Sequence, residues 1–403
     1  MPTPELPLDG VRVIDVAEHG FVPTAAAVLA EYGADVIKIE RLDGDPNRKI
    51  IPSGMVQTRD GIDYLAEVFN RNKRDIALDI TVEAGYQVLA KLTESADVFI
   101  TNQLPQVQRK LRTTAEDVIA INPRIVYARG HGQGQRGPDA EVGSYDSVGY
   151  WSRGGLGHVL SMPDAVSPPS QRPALGDVPS GTFLAGGICA ALVRAARTGK
   201  GSVVDASLLG SAIWTLGPDL AYTSLTGEQL QLDTIRSPLT MTYRTADGYF
   251  VMLMMINEAR YWKTATEALG LAELGQRFPD PGARQEAWAA LAAPFAEAIS
   301  KLTRDEIRVR LGERGCIFSF FATPSEVLAD PAAEANGYLM DHPTYDGLKI
   351  AAPPIQFDNQ RPELRRPAPR LGEHSEEILA EIGYSPDEIS GLVVSKTVIS
   401  APR

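Results

Sequence analysis

The chain has 403 residues, 44% of them hydrophobic, and its 51 acidic against 39 basic side chains give a net charge of −12. That balance, with no run of Lys or Arg, argues against a nucleic-acid surface or a polybasic membrane anchor, and the length allows two or three domains with cores of their own. Only Cys189 and Cys316 are present, MPTPELPLDG has no signal-peptide pattern, and no apolar stretch reaches the ~18 residues of a spanning helix, so a reducing, cytoplasmic, non-membrane setting is expected.

VRVIDVA (11–17) reads as a buried strand. Pro23 opens a helix of small residues, TAAAVLAEYGA, with Gly33 as its C-cap, and the strand DVIKIER follows at once. Such a strand–helix–strand unit with tight connections is the signature of parallel α/β architecture. The pattern repeats through DIALDI (75–80), a helix from Thr81 to about Ser95, DVFITN (97–102), a helix near Thr114–Ile121 and IVYARG (125–130). Five strands with crossover helices predict a doubly wound, Rossmann-like core. A Gly/Pro/Ser-rich stretch, 130–181, follows, and loops of that length inside a folded domain are usually functional. A small-residue helix ending at Gly199 and Gly201 then leads into a short strand and a long helix over SVVDASLLGSAIWTLGPDLAYTSLT. From about Leu225 the texture changes: TMTYRTADGYFVMLMM predicts a hairpin with an Asp247-Gly248 turn, and three helical patterns run to about Gly312. The tail from Leu348 holds one strand, a Pro-rich crossing and a last amphipathic helix. The expected fold is α/β: a discontinuous Rossmann-like large domain (1–224 and 325–403) with a smaller inserted α+β domain (225–324).

Gly132, Gly134 and Gly137 form a GxGxxG. They follow the fifth strand and run into Pro138, whereas a dinucleotide fingerprint must open a helix, so a flexible loop over a site is the better reading. No GxSxG, HExxH or Walker motif occurs. His19, His131, His158, His342 and His374 show no metal-binding spacing, and no metal is expected. Carboxylates remain as nucleophiles. Asp177, in ALGDVPSG just before the small-residue helix, stands out. It reads either as an N-cap or as a carboxylate among helix N–H donors able to stabilise an oxyanion on a bound thioester.

The blocks PLDGVRVIDVA, GADVIKIER, FNRNKRDIALDI, INPRIVYARGHGQGQRGP, GSYD, ALGDVPSGTFLAGGICAAL and RLGEHSEEIL, in that order, resemble the class III CoA-transferases, the family of formyl-CoA transferase and the carnitine CoA-transferases, with the α-methylacyl-CoA racemases as close relatives. The resemblance implies two subunits threaded through each other as an interlocked homodimer. It implies no prosthetic group, with coenzyme A and acyl-CoA as substrates beside a small carboxylic acid. It makes Asp177 the nucleophile that forms a mixed anhydride and then an aspartyl-CoA thioester. Gly20 and Phe21 would flank the pantetheine, Arg41 would meet the nucleotide end, and Leu78, Asp79 and Ile80 would form the adenine-side loop. Asn102, Gln103 and Lys110 would add further CoA contacts, with Thr81 and Leu104 standing where relatives carry basic residues. In the GSYD block, Tyr145 and Asp146 would line the site. Where racemases carry a histidine this chain has Tyr145, a poor proton relay near pH 7, which favours transfer. Racemisation and catalytically silent acyl-CoA binding are the alternatives. Tyr150, Trp151, Phe318, Phe320 and Phe321 are either core or an apolar acyl pocket.

Overall fold

The computed structural model describes residues 6–162, 165–231 and 236–401; the expectation drawn from the first five residues lies outside them. The chain runs β1 (Arg12–Val16), α1 (Phe21–Glu31), β2 (Asp35–Glu40), α2 (Tyr64–Asn70), β3 (Arg74–Leu78), α3 (Glu83–Glu94), β4 (Val98–Thr101), α4 (Pro105–Leu111), α5 (Ala115–Ile121), β5 (Val126–His131), α6 (Leu156–Val159), α7 (Asp177–Thr198), β6 (Ser202–Ser207), α8 (Leu208–Thr215) and α9 (Gly217–Thr226). Then come β7 (Thr242–Arg244), β8 (Phe250–Leu253), α10 (Glu258–Ala268), α11 (Ala272–Arg277), α12 (Pro281–Ser300), α13 (Arg304–Gly312), β9 (Phe318–Phe320) and α14 (Pro324–Leu328). The chain ends through α15 (Pro331–Ala335), β10 (Leu339–Asp341), β11 (Lys349–Ala351), α16 (Ser375–Glu381), α17 (Pro386–Val394) and β12 (Val398–Ile399).

Residues up to Ala221 and from Ala332 onward form one compact unit, and Tyr222–Pro331 the other. The first is a mixed α/β fold built on a sheet in the order β12-β3-β2-β1-β4-β5-β6. The strands β1 to β6 pair in parallel and β12 closes one edge antiparallel. Side chains alternate between two cores, as a period of two requires. Val13, Val36, Val98 and Val126 face α1 and α7. Ile14, Ile37, Phe99 and Tyr127 face α3, α5 and α16.

Helix α1 is buried along its whole length. It meets α7 through Ser180, Gly181, Leu184, Ala185 and Ile188, small or slender residues at helical spacing. The approach is close: a methyl on Gly181 would lie 2.5 Å from the Phe21 carbonyl oxygen. Contrary to the expectation of no such stretch, α7 is long and apolar enough to cross a membrane by length and composition alone. A third of that window is buried, packed against α1.

The expected long helix after β6 is two helices, because Pro218 lacks an N–H and its ring displaces the preceding turn. Stretch 130–181 holds a π-helical turn, Ser147–Ser152, and the short α6 among irregular backbone. The tail contains two helices and a second strand where one of each was expected.

The second unit is a three-stranded antiparallel sheet, β7-β8-β9, covered by helices. Its core joins Tyr243, Val251 and Leu253 to Trp262, Leu291, Phe295, Ile307 and Leu311. Four helices, rather than three, fill residues 258–312, since Gly270 breaks the first pattern in two with φ +76°.

Charged groups are buried under the strand ends of the first unit. Lys73 donates to Asp15 at 2.9 Å, to the Pro23 carbonyl and to Asn70, and both charged side chains are fully buried. Removing one partner of such a pair strands the other. Asp15→Ala is therefore expected to lower the unfolding free energy by roughly 3–5 kcal/mol, read as a shift in the urea midpoint. Lys301→Ala, which breaks an exposed pair with Glu297, should leave the midpoint unchanged.

Candidate active site

A cavity of about 680 Å³ opens at the C-terminal ends of the parallel strands. Chain emerging from β1 (Glu18, His19), β2 (Arg41–Asp43), β3 (Asp79–Thr81), β4 (Asn102–Leu104) and β5 (His131, Gly132) lines it, joined by Gly143–Asp146 and Asp177. The strand order reverses between β1 and its neighbour β4, and open α/β sheets bind ligands at that point. A larger cavity of about 860 Å³, lined by apolar side chains of α1 and α7 with Cys189 and Phe357, includes the chain just before β4. That is the opposite end of the sheet, and it holds none of the candidate residues.

Asp177 is the first residue of α7, not its N-cap: Gly176 takes that place and makes no side-chain cap bond. The carboxyl group rests against Gly20, the residue entering α1. A methyl on Gly20 would stand 2.5 Å from Asp177 Oδ2 and 3.3 Å from Phe69 Cζ. Burial, and after it the charge of Asp146, pushes the Asp177 carboxyl up to about 7. A helix N-terminus favours the anion, so here desolvation wins. Asp146 has the donors that Asp177 lacks, accepting the Gly176 N–H at 3.0 Å and Gln171 Nε2 at 2.7 Å.

The remaining expected residues fare unequally. Phe21 and Leu78 are buried and line the cavity with Asp79 and Ile80. Asp79 is occupied in a local turn, accepting the Thr81 N–H and hydroxyl at 2.9 and 2.5 Å. Arg41 is 58% exposed at the rim, its Nε 3.4 Å from Glu18 and 3.2 Å from Asp43. Asn102 turns inward on the protein, its Oδ1 accepting the Glu18 N–H at 3.0 Å and its Nδ2 donating to the Glu18 carbonyl at 2.7 Å. Gln103 accepts from Thr113 at its side chain and from Gln108 at its carbonyl. Tyr145 is 63% exposed and stands edge-on to His19, 5.4 Å between centroids.

Lys110 does not reach the cavity. Leu104, Val107 and Leu111 present one face of α4 to it, and Lys110 falls off that face into solvent. Nor do the expected aromatics form an acyl pocket here. Tyr150 and Trp151 are buried in the first unit's core, Phe318 and Phe320 pack on the second unit's core, and Phe321 is exposed.

Glu18 and His131, neither of them an expected site residue, also line the cavity. Glu18 is raised above the usual carboxylate range by burial, despite Arg41. His131 is 3% exposed, neither ring nitrogen has a hydrogen-bond partner among the described residues, and burial followed by Arg129 lowers its pKa. An imidazole at a strand end carries no sequence signal of being unpaired. Among the described residues no group of three His, Cys, Asp or Glu side chains could hold a metal ion.

The sequence pattern of CoA-transferase family III matches residues 8–375. The chain is 28% identical to a (R)-2-hydroxy-4-methylpentanoate CoA-transferase of Clostridioides difficile, over 97% of this chain and 99% of that one. It is also 28% identical to an α-methylacyl-CoA racemase of Mus musculus, over 98% of each. A crystal structure of a CAIB/BAIF family protein from Brucella suis superposes with a TM-score of 0.80 at 29% identity, covering 94% of this chain and all of the other.

The raised Asp177 pKa makes a stability prediction. The native carboxyl keeps its proton up to about pH 7, whereas the unfolded chain loses it near ~4. The stabilising neutral form is thus fully present below about pH 4 and lost as the pH climbs to 7. Asp177→Asn, neutral throughout, should gain on the order of 2–4 kcal/mol over the wild type at pH 8. The gain should shrink below pH 7 and vanish near pH 4, as followed by urea unfolding.

Proposed function

The chain belongs to CoA-transferase family III, and on that footing we propose that it moves CoA from an acyl-CoA donor to a carboxylic acid through covalent attachment to Asp177. That it is an enzyme of the class III CoA-transferase type follows from the named CoA-transferases among its relatives. The observation that supports the covalent route is a carboxyl group with a pKa of about 7, in a cavity at the strand C-termini, held by no hydrogen-bond donor among the described residues. A carboxylate stripped of donors is a stronger nucleophile than a solvated one, and near neutral pH about half the molecules carry it.

An Asp177 oxygen attacks the thioester carbonyl, and the C–S bond breaks to give a mixed anhydride and CoA thiolate. The thiolate then attacks the Asp177 carbonyl carbon, releasing the donor acid and leaving aspartyl-CoA thioester. The acceptor carboxylate repeats the first step on that thioester, expelling thiolate, which attacks the acceptor's carbonyl carbon to form the new acyl-CoA and return Asp177. No proton is gained or lost over the cycle. Each step exchanges one activated acyl group for another, so one hard exchange becomes several easy ones. Arg41, exposed at the rim and shared between Glu18 and Asp43, would meet the polyanionic nucleotide end of CoA, whose phosphates would compete with those carboxylates for its guanidinium. Acceptors carrying a 2-hydroxyl are the first to test, since one relative is named for such an acid.

We extend the proposal to a Rossmann-like large domain with an inserted smaller one and to an interlocked homodimer in a reducing cytoplasm. Phe183 and Val193 on α7 and Ile213 and Trp214 on α8 are exposed apolar side chains, of the sort that a partner subunit covers. Both cysteines are free. Racemisation has a specific observation behind it, the two imidazoles of His19 and His131 on the same cavity, either of which could act as second base.

Hydroxylamine added during turnover should convert Asp177 to its hydroxamate, visible by peptide mass spectrometry, and Asp177→Asn should lose both label and transfer by roughly a thousandfold or more. The single-turnover rate should rise with pH about a midpoint near 7. Deuterium entering the α-position from D₂O with no acceptor acid present, and no Asp177 label, would establish racemisation instead.

A further inference from the structure

The turn that carries Gly20 against Asp177 is gripped from two sides. Asn102 holds Glu18 by the pair of amide bonds described above. On the other side, Asp45 Oδ1 accepts the His19 N–H at 3.1 Å while its Oδ2 accepts Lys38 Nζ at 3.0 Å. Asp45 is 2% exposed and Lys38 fully buried, and Lys38 also donates to the Ala17 carbonyl at 2.8 Å, so one ammonium ties the end of β1 to the turn beyond it. Asp45 is itself fixed: its N–H donates to Glu40 Oε2 at 2.7 Å, and Oδ1 takes the Asn47 N–H at 2.9 Å. Between the grips His19 has φ +67°, a left-handed conformation that a non-glycine residue keeps only when its surroundings impose it. That conformation directs the chain into α1 with Gly20 facing the carboxyl group.

Asp177 has no hydrogen bond of its own to fix its rotamer among the described residues, so the wall it rests on does so: Gly20, with the Phe69 ring on the same side as the carboxyl. We propose that Asp45 is a positioning residue for CoA transfer, acting through the His19 N–H and Gly20 to set the line along which the Asp177 oxygen meets the thioester. The inference rests on Asp177 being the nucleophile. Asp45 does not line the cavity, so its effect on substrate is indirect. A misplacement of ~1 Å in a reacting group costs about a hundredfold in rate, so even a small shift of the wall on loss of the His19 anchor would register in the rate.

The test uses the full chain, single-turnover hydroxylamine labelling of Asp177, and calorimetric affinity for free CoA. Asp45→Ala should slow labelling about ten- to a hundredfold while the CoA dissociation constant stays within about threefold. Asp45→Asn keeps an oxygen for the His19 N–H but sets an amide N–H₂ against the Lys38 ammonium, and should slow labelling less. Adding Lys38→Gln to Asp45→Asn restores a donor–acceptor match and should recover part of the rate, which a general loss of stability would not do. Gly20→Ala, pressing on the carboxyl group directly, should show the same rate loss. The idea is overturned if the Asp45 variants melt earlier but label at the wild-type rate per folded molecule, or if their CoA affinity falls in step with their rate. A wild-type chain that no acyl-CoA donor labels removes the nucleophile and this inference together, whereas a labelled wild type with unimpaired Asp45 and Gly20 variants removes this inference alone.

Discussion

The close contact between α1 and α7 is the constraint on which the site depends. It is possible because two positions lack side chains. At Gly181 even a methyl would collide with the Phe21 carbonyl, and at Gly20 it would collide with the Asp177 carboxyl. The first absence lets the helix axes approach, and the second lets the start of one helix touch the start of the other. A dense interior cannot absorb an extra methyl at such places without moving backbone. The packing that buries Ala25, Ala26 and Leu29 of α1 against Leu184, Ala185 and Ile188 of α7 therefore also brings the loop after β1 to the carboxyl at the head of α7.

Electrostatics around that contact run against the chain's overall charge. A net −12 describes the far field, whereas the strand ends hold compensated groups. Lys38 pairs with Asp45, Lys73 with Asp15, and Arg48 with Glu40, the last drawn down to about 2, with burial opposing Arg48 and Lys38. Asp75 is raised well above its usual range, by burial first and then by Glu40. Buried pairs of this kind contribute little net stability, because desolvation offsets attraction, but they are intolerant of losing one member. Their effect is to hold loops in one arrangement, which a site built from five separate strand ends requires. At the rim the balance differs: Arg41 is exposed and shared between two carboxylates, a cation that a phosphate can capture without leaving it unpaired beforehand.

Much of this fold was legible in the sequence wherever one periodicity dominated. The β-rich runs at 11–17, 35–41, 75–80, 97–102 and 125–130 each contain or overlap a parallel strand, because strands buried on both faces read as near-continuous apolar runs. Breaks inside helical patterns were harder, as Pro218 and Gly270 show. Of the site, Asp177, Arg41, Leu78 to Ile80, Tyr145 and Asp146 were legible through a resemblance spread over many blocks, and all line one cavity. Lys110 failed because a one-residue difference on a helix decides between cavity and solvent. Asn102 does line the cavity, but its amide is committed to Glu18. Asp45 left no trace at all, since its role lies in bonds to a backbone N–H and to a lysine seven positions earlier, neither of which any local pattern encodes.

The raised pKa of Asp177 belongs with that buried framework. A carboxyl group without donors, beside a second carboxylate, is a destabilising element that a protein selected for stability alone would replace with an amide or an apolar side chain. Asp146, on the same cavity, shows the opposite arrangement: its two oxygens accept from Gln171 and from the Gly176 N–H. The contrast between two aspartates on one cavity, one accepting two hydrogen bonds and one left bare, is the kind of local inconsistency that concentrates at functional sites. It is sustained here because the bare carboxyl rests on the Gly20 backbone with the Phe69 ring on the same side, against a turn clamped by Asn102 and Asp45. Rigidity in the wall therefore substitutes for hydrogen bonds to the carboxylate, which would hold it as firmly but would stabilise its anion and lower its basicity.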